Sequence, residues 1–280
     1  MAPNSIENKY KGKILFLHGY TQSSSLFYAK TSALRKKLTK LGYKCIYLNG
    51  PYILQPNDLP SDDSLVKFGS DDKQDMIYRG WWIKPNKTND SINLNKSIET
   101  INDYIKNQKI IPDEDLKIIE ETEEEKKLPI LGLIGFSQGA SFGGIICHKF
   151  SKLFNTNSLK FVIFYSGFKL DTNEKSGNSG LKEYYPNEKE VEENNLRYLH
   201  VYGELDTVVD ETRSLSLYNL TKSKSDLLKH PGGHFVPNSK LYIDQVTNWI
   251  QSLDIEKVKN DKKEEDIDSL LDMMNSFGKV

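Results

Sequence analysis

One serine of this chain stands between two glycines, directly after a short apolar run. Ser137 is flanked by Gly135 and Gly139, and the run occupies residues 130–136. This G-x-S-x-G spacing is typical of a nucleophile elbow, in which a strand turns sharply into a helix and small neighbours tolerate the strain. A serine hydroxyl alone is a weak nucleophile, so the chemistry also needs a base, an orienting acid and donors for an oxyanion.

The base is expected C-terminal to this serine, because α/β-hydrolase triads follow the chain order Ser, Asp or Glu, His. His234 lies in the glycine-rich segment 229–237, between a predicted strand at 225–229 and a helix starting near Asn238. Such a loop lets the imidazole reach over the edge of a sheet. We therefore predict that His234 is the base.

The other four histidines are predicted to be structural. His230 stands at a strand end, where an ordinary hydrogen bond is expected, and His18 can brace the loop that follows the first strand. His148 lies too far along the helix after Ser137 to touch its hydroxyl. His200 falls in a strand that reads as buried, so a core histidine with satisfied hydrogen bonds is expected there.

Asp206 is predicted to be the acid. It follows the predicted strand 196–202 through a short loop, at the carboxyl end of the strand, where the serine also emerges. Glu204 and Asp210 are nearby alternatives. Asp171, after the preceding strand, is a third alternative, because some hydrolases take the acid from that position.

Two backbone N–H groups are expected to form the oxyanion hole. Gln138 supplies one, because it directly follows the nucleophile, and the loop after an early strand supplies the other. Gly19 allows a tight turn in that loop, so the N–H of Tyr20 can face the serine.

Three aromatic side chains are candidates for an acyl-binding pocket. Trp81, Trp82 and Phe142 are predicted to line it, which would favour medium or longer acyl chains. A position in the core is the alternative, since aromatic residues often fill cores.

Apolar runs and helical periods alternate along the chain. This alternation predicts an α/β fold, an α/β-hydrolase fold with a mainly parallel central sheet, helices on both faces and ligands beyond the carboxyl ends of the strands. The strands are predicted at 13–17, 43–48, 130–134, 160–165, 196–202 and 225–229, and the helices at 26–41, 91–106 and 138 to about 150.

Four segments fall outside this pattern. Residues 51–85, with several prolines, are predicted to lie irregularly over the strand ends. An insertion around 110–127 is expected to be solvated, and 171–195 to be a mobile surface excursion that can border the pocket. The hydrolase domain is predicted over 1–255, followed by a charged tail, 256–280, with a weakly amphipathic helix.

Composition excludes several functional classes. Lys and Arg number 38 against 39 Asp and Glu, so the net charge of −1 disfavours binding to nucleic acid or an anionic membrane. No apolar stretch approaches the roughly 20 residues of a membrane-spanning helix, and residues 1–13 lack a secretory signal. Cys45 and Cys147 show no metal-ligand spacing. We expect a cytoplasmic protein, with the nucleus as the alternative, that is a monomer or homodimer and holds no metal.

Seven motifs together resemble the FSH family of serine hydrolases, over about residues 12 to 252. The resemblance implies an α/β-hydrolase fold, the triad Ser137, Asp206 and His234, and esterase activity on carboxylic esters without a cofactor. The insertion and the tail lie outside the family pattern. The motifs occupy residues 17–23, 49–51, 80–82, 135–140, 165–167, 203–206 and 230–237.

The hypothesis that follows is a serine hydrolase acting on a small-molecule ester through an acyl-enzyme. Thioester, phospholipid or lactone substrates would use the same groups. A ligand-binding protein that keeps the scaffold without turnover is an alternative of another class. An interaction role of the C-terminal helix is a third.

Overall fold

The computed structural model describes residues 9–59, 77–84, 91–113, 116 and 120–254. Six strands form one parallel sheet. Its strands are β1 (Gly12–Leu17), β2 (Tyr43–Leu48), β5 (Ile130–Phe136), β6 (Phe161–Tyr165), β7 (Arg197–Gly203) and β8 (Ser225–His230). The strand order is β2-β1-β5-β6-β7-β8, and every neighbouring pair is parallel, which confirms the predicted fold class. Two short strands, β3 (Tyr52–Ile53) and β4 (Arg79–Gly80), pair antiparallel in a separate sheet.

The middle of the large sheet is buried along its whole length, and Lys13 is the one charged residue of β1, β5 and β6. All residues of β1, β5 and β6 are buried, as expected for strands covered by helices on both faces, whereas three of the six residues of edge strand β8 are exposed. The chain passes from β1 to β2 on one side and later returns to β5 on the other side of β1. Such a switch point opens a crevice at the carboxyl ends of β1 and β5, where ligands bind in this class of sheet.

Helices flank the strands, and two predicted helices are divided. The segment predicted as one helix, 26–41, forms two helices that meet at Thr31, whose hydroxyl hydrogen-bonds Phe27 O and Tyr47 Oη. The helix predicted over 138 to about 150 ends at Ile146 and a second begins at Phe150. The helices are α1 (Ser24–Lys30), α2 (Ser32–Lys40), α3 (Asn95–Asn107), α4 (Glu123–Lys126), α5 (Gln138–Ile146), α6 (Phe150–Phe154), α7 (Glu188–Glu193), α8 (Glu211–Tyr218) and α9 (240–254).

Helix α3 begins four residues later than the sequence predicts. Its predicted first turn is held in another conformation, because Ile92 N–H donates to Asn178 Oδ1 at 2.9 Å and Asn95 N–H donates to Asn93 Oδ1 at 2.8 Å. Side chains of Asn and Asp compete with helical hydrogen bonds in this way.

The insertion around 110–127 is more than a solvated loop. Asp113 Oδ2 accepts hydrogen bonds from Ser24 Oγ and Ser25 N–H, both at 3.0 Å, at the start of α1. Lys13 Nζ and Glu121 Oε1 form an ion pair at 2.9 Å with both side chains almost fully buried. The insertion therefore combines exposed residues, among them Glu123 and Glu124, with two carboxylates that bind β1 and α1.

The excursion 171–195 has regular structure. It contains 3₁₀ helices at Glu174–Ser176 and Ser179–Tyr184 followed by α7, in which Val191 is buried. Tyr185 Oη accepts the Leu170 N–H at 3.0 Å, so the segment is anchored at its base. The polar excursion thus consists largely of short helical turns, and its mobility stays a prediction.

The chain divides into two units, Met1–Asn238 and Ser239–Val280. The first holds the sheet, and the described part of the second is α9. The tail 256–280, including its predicted amphipathic helix, and residues 60–76 of the proline-containing segment lie outside the described residues. Within the described ranges, no helix combines the length and apolarity needed to cross a bilayer.

Candidate active site

Ser137 stands where β5 turns into α5, with a strained backbone. Its φ of 50° and ψ of −114° lie in a region that residues with a Cβ seldom adopt, while its N–H donates to Tyr165 O at 2.8 Å. A Cβ on Gly135 would lie 2.5 Å from Ala140 Cα, and one on Gly139 would lie 2.3 Å from Leu17 O. Both glycines are therefore required by the close packing of the turn, which explains the G-x-S-x-G spacing.

His234 lies between Ser137 and Asp206. Its Nε2 is 3.0 Å from Ser137 Oγ, and its Nδ1 is 2.7 Å from Asp206 Oδ2. With Asp206 ionised, Nδ1–H donates to the carboxylate and Nε2 accepts from the serine hydroxyl. The structure therefore brings together the serine, base and acid that the sequence predicts. All three side chains are buried.

Asp206 is held as a carboxylate by four donors. Its Oδ1 accepts the N–H groups of Val208 and Val209 at 2.9 and 2.8 Å, and its Oδ2 accepts from Ser166 Oγ at 2.8 Å in addition to His234. Burial by itself would raise the pKa of Asp206, but the hydrogen bond and charge of His234, with the Val209 and Ser166 bonds, hold the pKa below its usual value.

Ser166 is a site residue that the sequence analysis did not identify. It directly follows β6, its side chain is buried, and its φ of 47° lies in the left-handed region. Its N–H donates to Val201 O at 2.8 Å, which fixes the hydroxyl beside Asp206. The usable signal was a serine directly before Gly167, at the end of a strand next to the elbow strand.

The alternative acids are occupied elsewhere. Glu204 Oε1 pairs with Lys229 Nζ at 3.3 Å on the surface. Asp210 caps α8 through its side chain, and Asp171 accepts a backbone N–H two residues further along its own loop. Asp206, by contrast, contacts the imidazole of His234.

Three of the remaining histidines have contacts away from the serine. His148 Nδ1 lies 2.9 Å from Asn194 Nδ2, and His230 Nδ1 accepts the Gly232 N–H at 3.2 Å, as expected for structural residues. His200 differs from the prediction, because its Nε2 has no hydrogen-bond partner among the described residues. Burial lowers the pKa of His200 to about 3, so its ring is neutral.

His18 orients the loop that carries the predicted oxyanion donor. Its Nε2 accepts the Gly50 N–H at 2.9 Å, so its Nδ1 carries the proton and donates to Gly19 O at 2.7 Å. Burial lowers its pKa to about 4, against the smaller opposing effect of the Gly19 bond. The carbonyl of Gly19 and the N–H of Tyr20 belong to one planar peptide and point in opposite directions, so this bond sets the direction of the N–H.

Tyr20 and Gln138 both lie beside Gly80. A Cβ on Gly80 would be 3.1 Å from the Tyr20 ring and 3.2 Å from Gln138 Oε1. The Gln138 side chain accepts the Trp81 N–H at 2.7 Å and donates to Trp82 O at 2.9 Å. These contacts join the first turn of α5 to β4 and the Tyr20 loop.

The aromatic residues predicted to line an acyl pocket lie in the core instead. Trp81 and Phe142 are fully buried and their rings stack at 5.1 Å, and Trp81 Nε1–H donates to His18 O. Trp82 is 5% exposed and packs edge-on against Phe168. These contacts favour the core alternative over the pocket alternative.

A different cavity adjoins the histidine. Its volume is about 180 Å³, and its wall includes His234 and Phe235 from one loop together with Phe136 and Phe27. In the described part of the chain, no three His, Cys, Asp or Glu side chains cluster as ligands of a metal ion would.

Comparison with known proteins places the chain in a family. The family model described as Serine hydrolase (FSH1) matches residues 7–246. The chain belongs to this family of serine hydrolases. This serine hydrolase is 34% identical over 294 residues to Family of serine hydrolases 3 of Saccharomyces cerevisiae, covering 96% of this chain and 99% of the relative. The resemblance found in its motifs is thereby confirmed.

Two further similarities extend the comparison. Esterase AAEL000016 of Aedes aegypti is 30% identical to this serine hydrolase over 234 residues, covering 83% of this chain and 73% of the relative. The crystal structure of Zea mays acyl-protein thioesterase 2 superposes with a TM-score of 0.51 at 17% identity, covering 87% of this chain and 94% of that chain. The superposition on this crystal structure establishes the α/β-hydrolase fold.

Proposed function

We propose that this serine hydrolase cleaves carboxylic esters through an acyl-enzyme on Ser137. The observation that carries the proposal is the continuous hydrogen-bonded line from Ser137 Oγ to His234 Nε2 at 3.0 Å and from His234 Nδ1 to Asp206 Oδ2 at 2.7 Å. A base in contact with the nucleophile, and itself oriented by a carboxylate, is the arrangement that activates a serine.

The mechanism follows from these contacts. His234 Nε2 takes the hydroxyl proton while Ser137 Oγ attacks the ester carbonyl, and Asp206 stabilises the resulting imidazolium. The N–H groups of Gln138 and Tyr20 stabilise the oxyanion, and one such donor typically lowers the barrier by about 3 to 4 kcal/mol. The alcohol then leaves with the proton from Nε2. Water activated by His234 releases the acid and restores the serine.

Medium- to long-chain acyl esters remain the proposed substrates. Leu205, which adjoins Asp206 in the chain, is 69% exposed. An exposed apolar side chain next to the acid can bind an acyl chain that extends into solvent. A thioester would react through the same groups, so oxygen and sulfur esters of one acyl group are the substrates to compare.

We also propose a reducing compartment, the cytoplasm. Cys45 and Cys147 are free thiols in the structure, and burial raises the pKa of each to about 12. Unpaired, unreactive cysteines fit a protein that is not stabilised by disulfides.

Labelling with a fluorophosphonate probe tests the assignment of the nucleophile. We expect the wild type to be labelled and Ser137→Ala to lose both labelling and hydrolysis of p-nitrophenyl butyrate, with kcat falling by roughly 10⁶ because the nucleophile is absent. Ser158→Ala, at an exposed serine, is the matched control and should keep both activities. Labelling that persists in Ser137→Ala would remove the serine from its assigned role.

A further inference from the structure

The cavity beside His234 has an aromatic wall continuous with the base. The rings of Phe136 and His234 lie 4.8 Å apart, and Phe27 stacks on Phe136 at 6.4 Å between centroids. Phe235 and Val236 extend the same wall from the histidine loop. His234 is part of this wall, so the cavity adjoins the base whose Nε2 lies 3.0 Å from Ser137 Oγ.

The polar part of the wall comes from three other side chains. Gln22 is buried and its Oε1 accepts the Gly19 N–H at 3.2 Å, so its amide is turned toward the Tyr20 loop. Lys30 is partly buried and Asn238 is exposed, which puts the remaining polar groups on the solvent side. The inner wall is therefore mainly apolar.

The position of the base decides whether such a cavity can hold the acyl group or the alcohol of an ester. When the tetrahedral intermediate collapses, His234 Nε2 must deliver its proton to the oxygen of the departing alcohol, so that oxygen lies against the imidazole. The carbonyl oxygen points to the oxyanion donors instead. Among the described residues, the cavity wall includes the base His234 but neither of the proposed oxyanion donors, Tyr20 and Gln138.

We propose that this cavity is the leaving-group site and that it selects esters of apolar alcohols. The inference rests on the proposed function and adds a substrate class to it. At about 30 Å³ for a water-sized group, a volume of about 180 Å³ holds roughly six non-hydrogen atoms, which corresponds to a phenyl or hexyl group. Burial of these atoms against Phe27, Phe136 and Phe235 supplies the binding energy.

The proposed step balances in a simple way. The bond between the carbonyl carbon and the alcohol oxygen breaks, and its electron pair goes to that oxygen, which takes the proton from His234 Nε2. The acyl group stays on Ser137 Oγ. After this step the cavity is vacated, so its shape affects acylation and leaves deacylation unchanged.

Two matched ester series test the assignment. One series joins butyrate to methanol, butanol or hexanol, and the other joins methanol to acetate, butyrate or octanoate, with acid release followed by titration. Val236→Phe fills the cavity, and Leu227→Phe, at a residue of β8 that is 41% exposed and outside the cavity wall, is the matched control.

We expect Val236→Phe to lower kcat/KM for hexyl butyrate relative to methyl butyrate by about tenfold or more, the size of effect that several methylene contacts in a pocket produce. The acyl-length preference and the deacylation rate of the butyryl-enzyme should stay within twofold of the wild type, and Leu227→Phe should change neither series. Val236→Ile gives the same direction with a smaller change if the Phe variant does not fold.

Other results would overturn the inference. A change in acyl-length preference or in deacylation, with the alcohol series unaffected, would make the cavity an acyl site. No change in either series would leave it without a role in binding. Hydrolysis that does not depend on Ser137 would instead refute the proposed function, so the two failures can be told apart.

Discussion

At the level of single residues, the most informative side chain is one that does not touch the nucleophile. Ser166 donates to Asp206 Oδ2, the same oxygen that contacts His234, and it does so from a backbone with φ of 47°. A non-glycine residue held in this region costs about 1 kcal/mol or more, which the fold tolerates when the position is constrained by its surroundings. We infer that Ser166 is a positioning residue for the carboxylate.

Two substitutions of Ser166 distinguish the effect of its hydrogen bond from the effect of its strained backbone. We expect Ser166→Ala to lower kcat by about tenfold, since one hydrogen bond to a charged group is worth roughly 1.5 kcal/mol. Steady-state kinetics measure this change.

Ser166→Gly is the control for strain. Glycine accepts the left-handed backbone, so this variant should be more stable than Ser166→Ala yet equally slow. Recovery of wild-type kcat in the glycine variant would mean that backbone strain, and not the hydroxyl, governs the site.

At the level of elements, the loops after β7 and β8 set the distance between Asp206 and His234. A Cβ on Gly203, the last residue of β7, would lie 2.4 Å from the carbonyl oxygens of Gly232 and Gly233. Leu205 N–H also donates to Gly232 O at 3.0 Å. The glycines of this region therefore allow two backbones to touch, and that contact fixes the spacing of acid and base.

Gly203→Ala is expected to push these two loops apart. A displacement near 1 Å at a catalytic group can reduce the rate about 100-fold, so kcat should fall by roughly that factor while much of the sheet remains folded. Kinetics and circular dichroism measure the two effects. Gly180→Ala, where a Cβ would meet nothing within 4 Å, is the matched control. Wild-type kcat in Gly203→Ala would show that the contact does not position the pair.

At the level of the whole molecule, two buried neutral histidines link folding to pH. Burial lowers the pKa of His18 to about 4 and that of His200 to about 3. In the unfolded chain both titrate near 6.5, so below that pH the unfolded state binds protons that the folded state does not. The free energy of unfolding therefore falls as pH drops from about 6.5. The lowered pKa of Asp206 adds its own loss only below about pH 4.

His200→Phe tests this linkage. Its Nε2 has no hydrogen-bond partner in the described part of the chain, and its ring packs edge-on against Phe164 and Tyr218, so an aromatic hydrocarbon suits the position. Between pH 7 and 5 the wild type loses unfolding free energy because unfolded His200 binds a proton that folded His200 does not. This difference is worth about 1.4 kcal/mol per pH unit below the unfolded pKa, so we expect the loss to be smaller by about 2 kcal/mol in His200→Phe. Urea unfolding at the two pH values measures it, and an unchanged loss would contradict the assignment.

Short-range patterns in the sequence were sufficient to predict much of the fold and part of the site. Each strand of the parallel sheet overlaps a predicted strand, because the period and length of apolar runs reflect local burial. The elbow was recognisable because its two glycines stand within two residues of Ser137. The order of Ser137, Asp206 and His234 along the chain was enough to nominate all three.

Contacts between distant segments were decided only by tertiary structure. His234 and Ser137 are separated by 97 positions and meet because their strands end at the same edge of the sheet. Asp113 at the start of α1 and Trp81 in the core have no local signature, since each depends on which segment packs against it. Spacing along the sequence encodes turns and periods, whereas the surroundings of a side chain are set by strand register and packing.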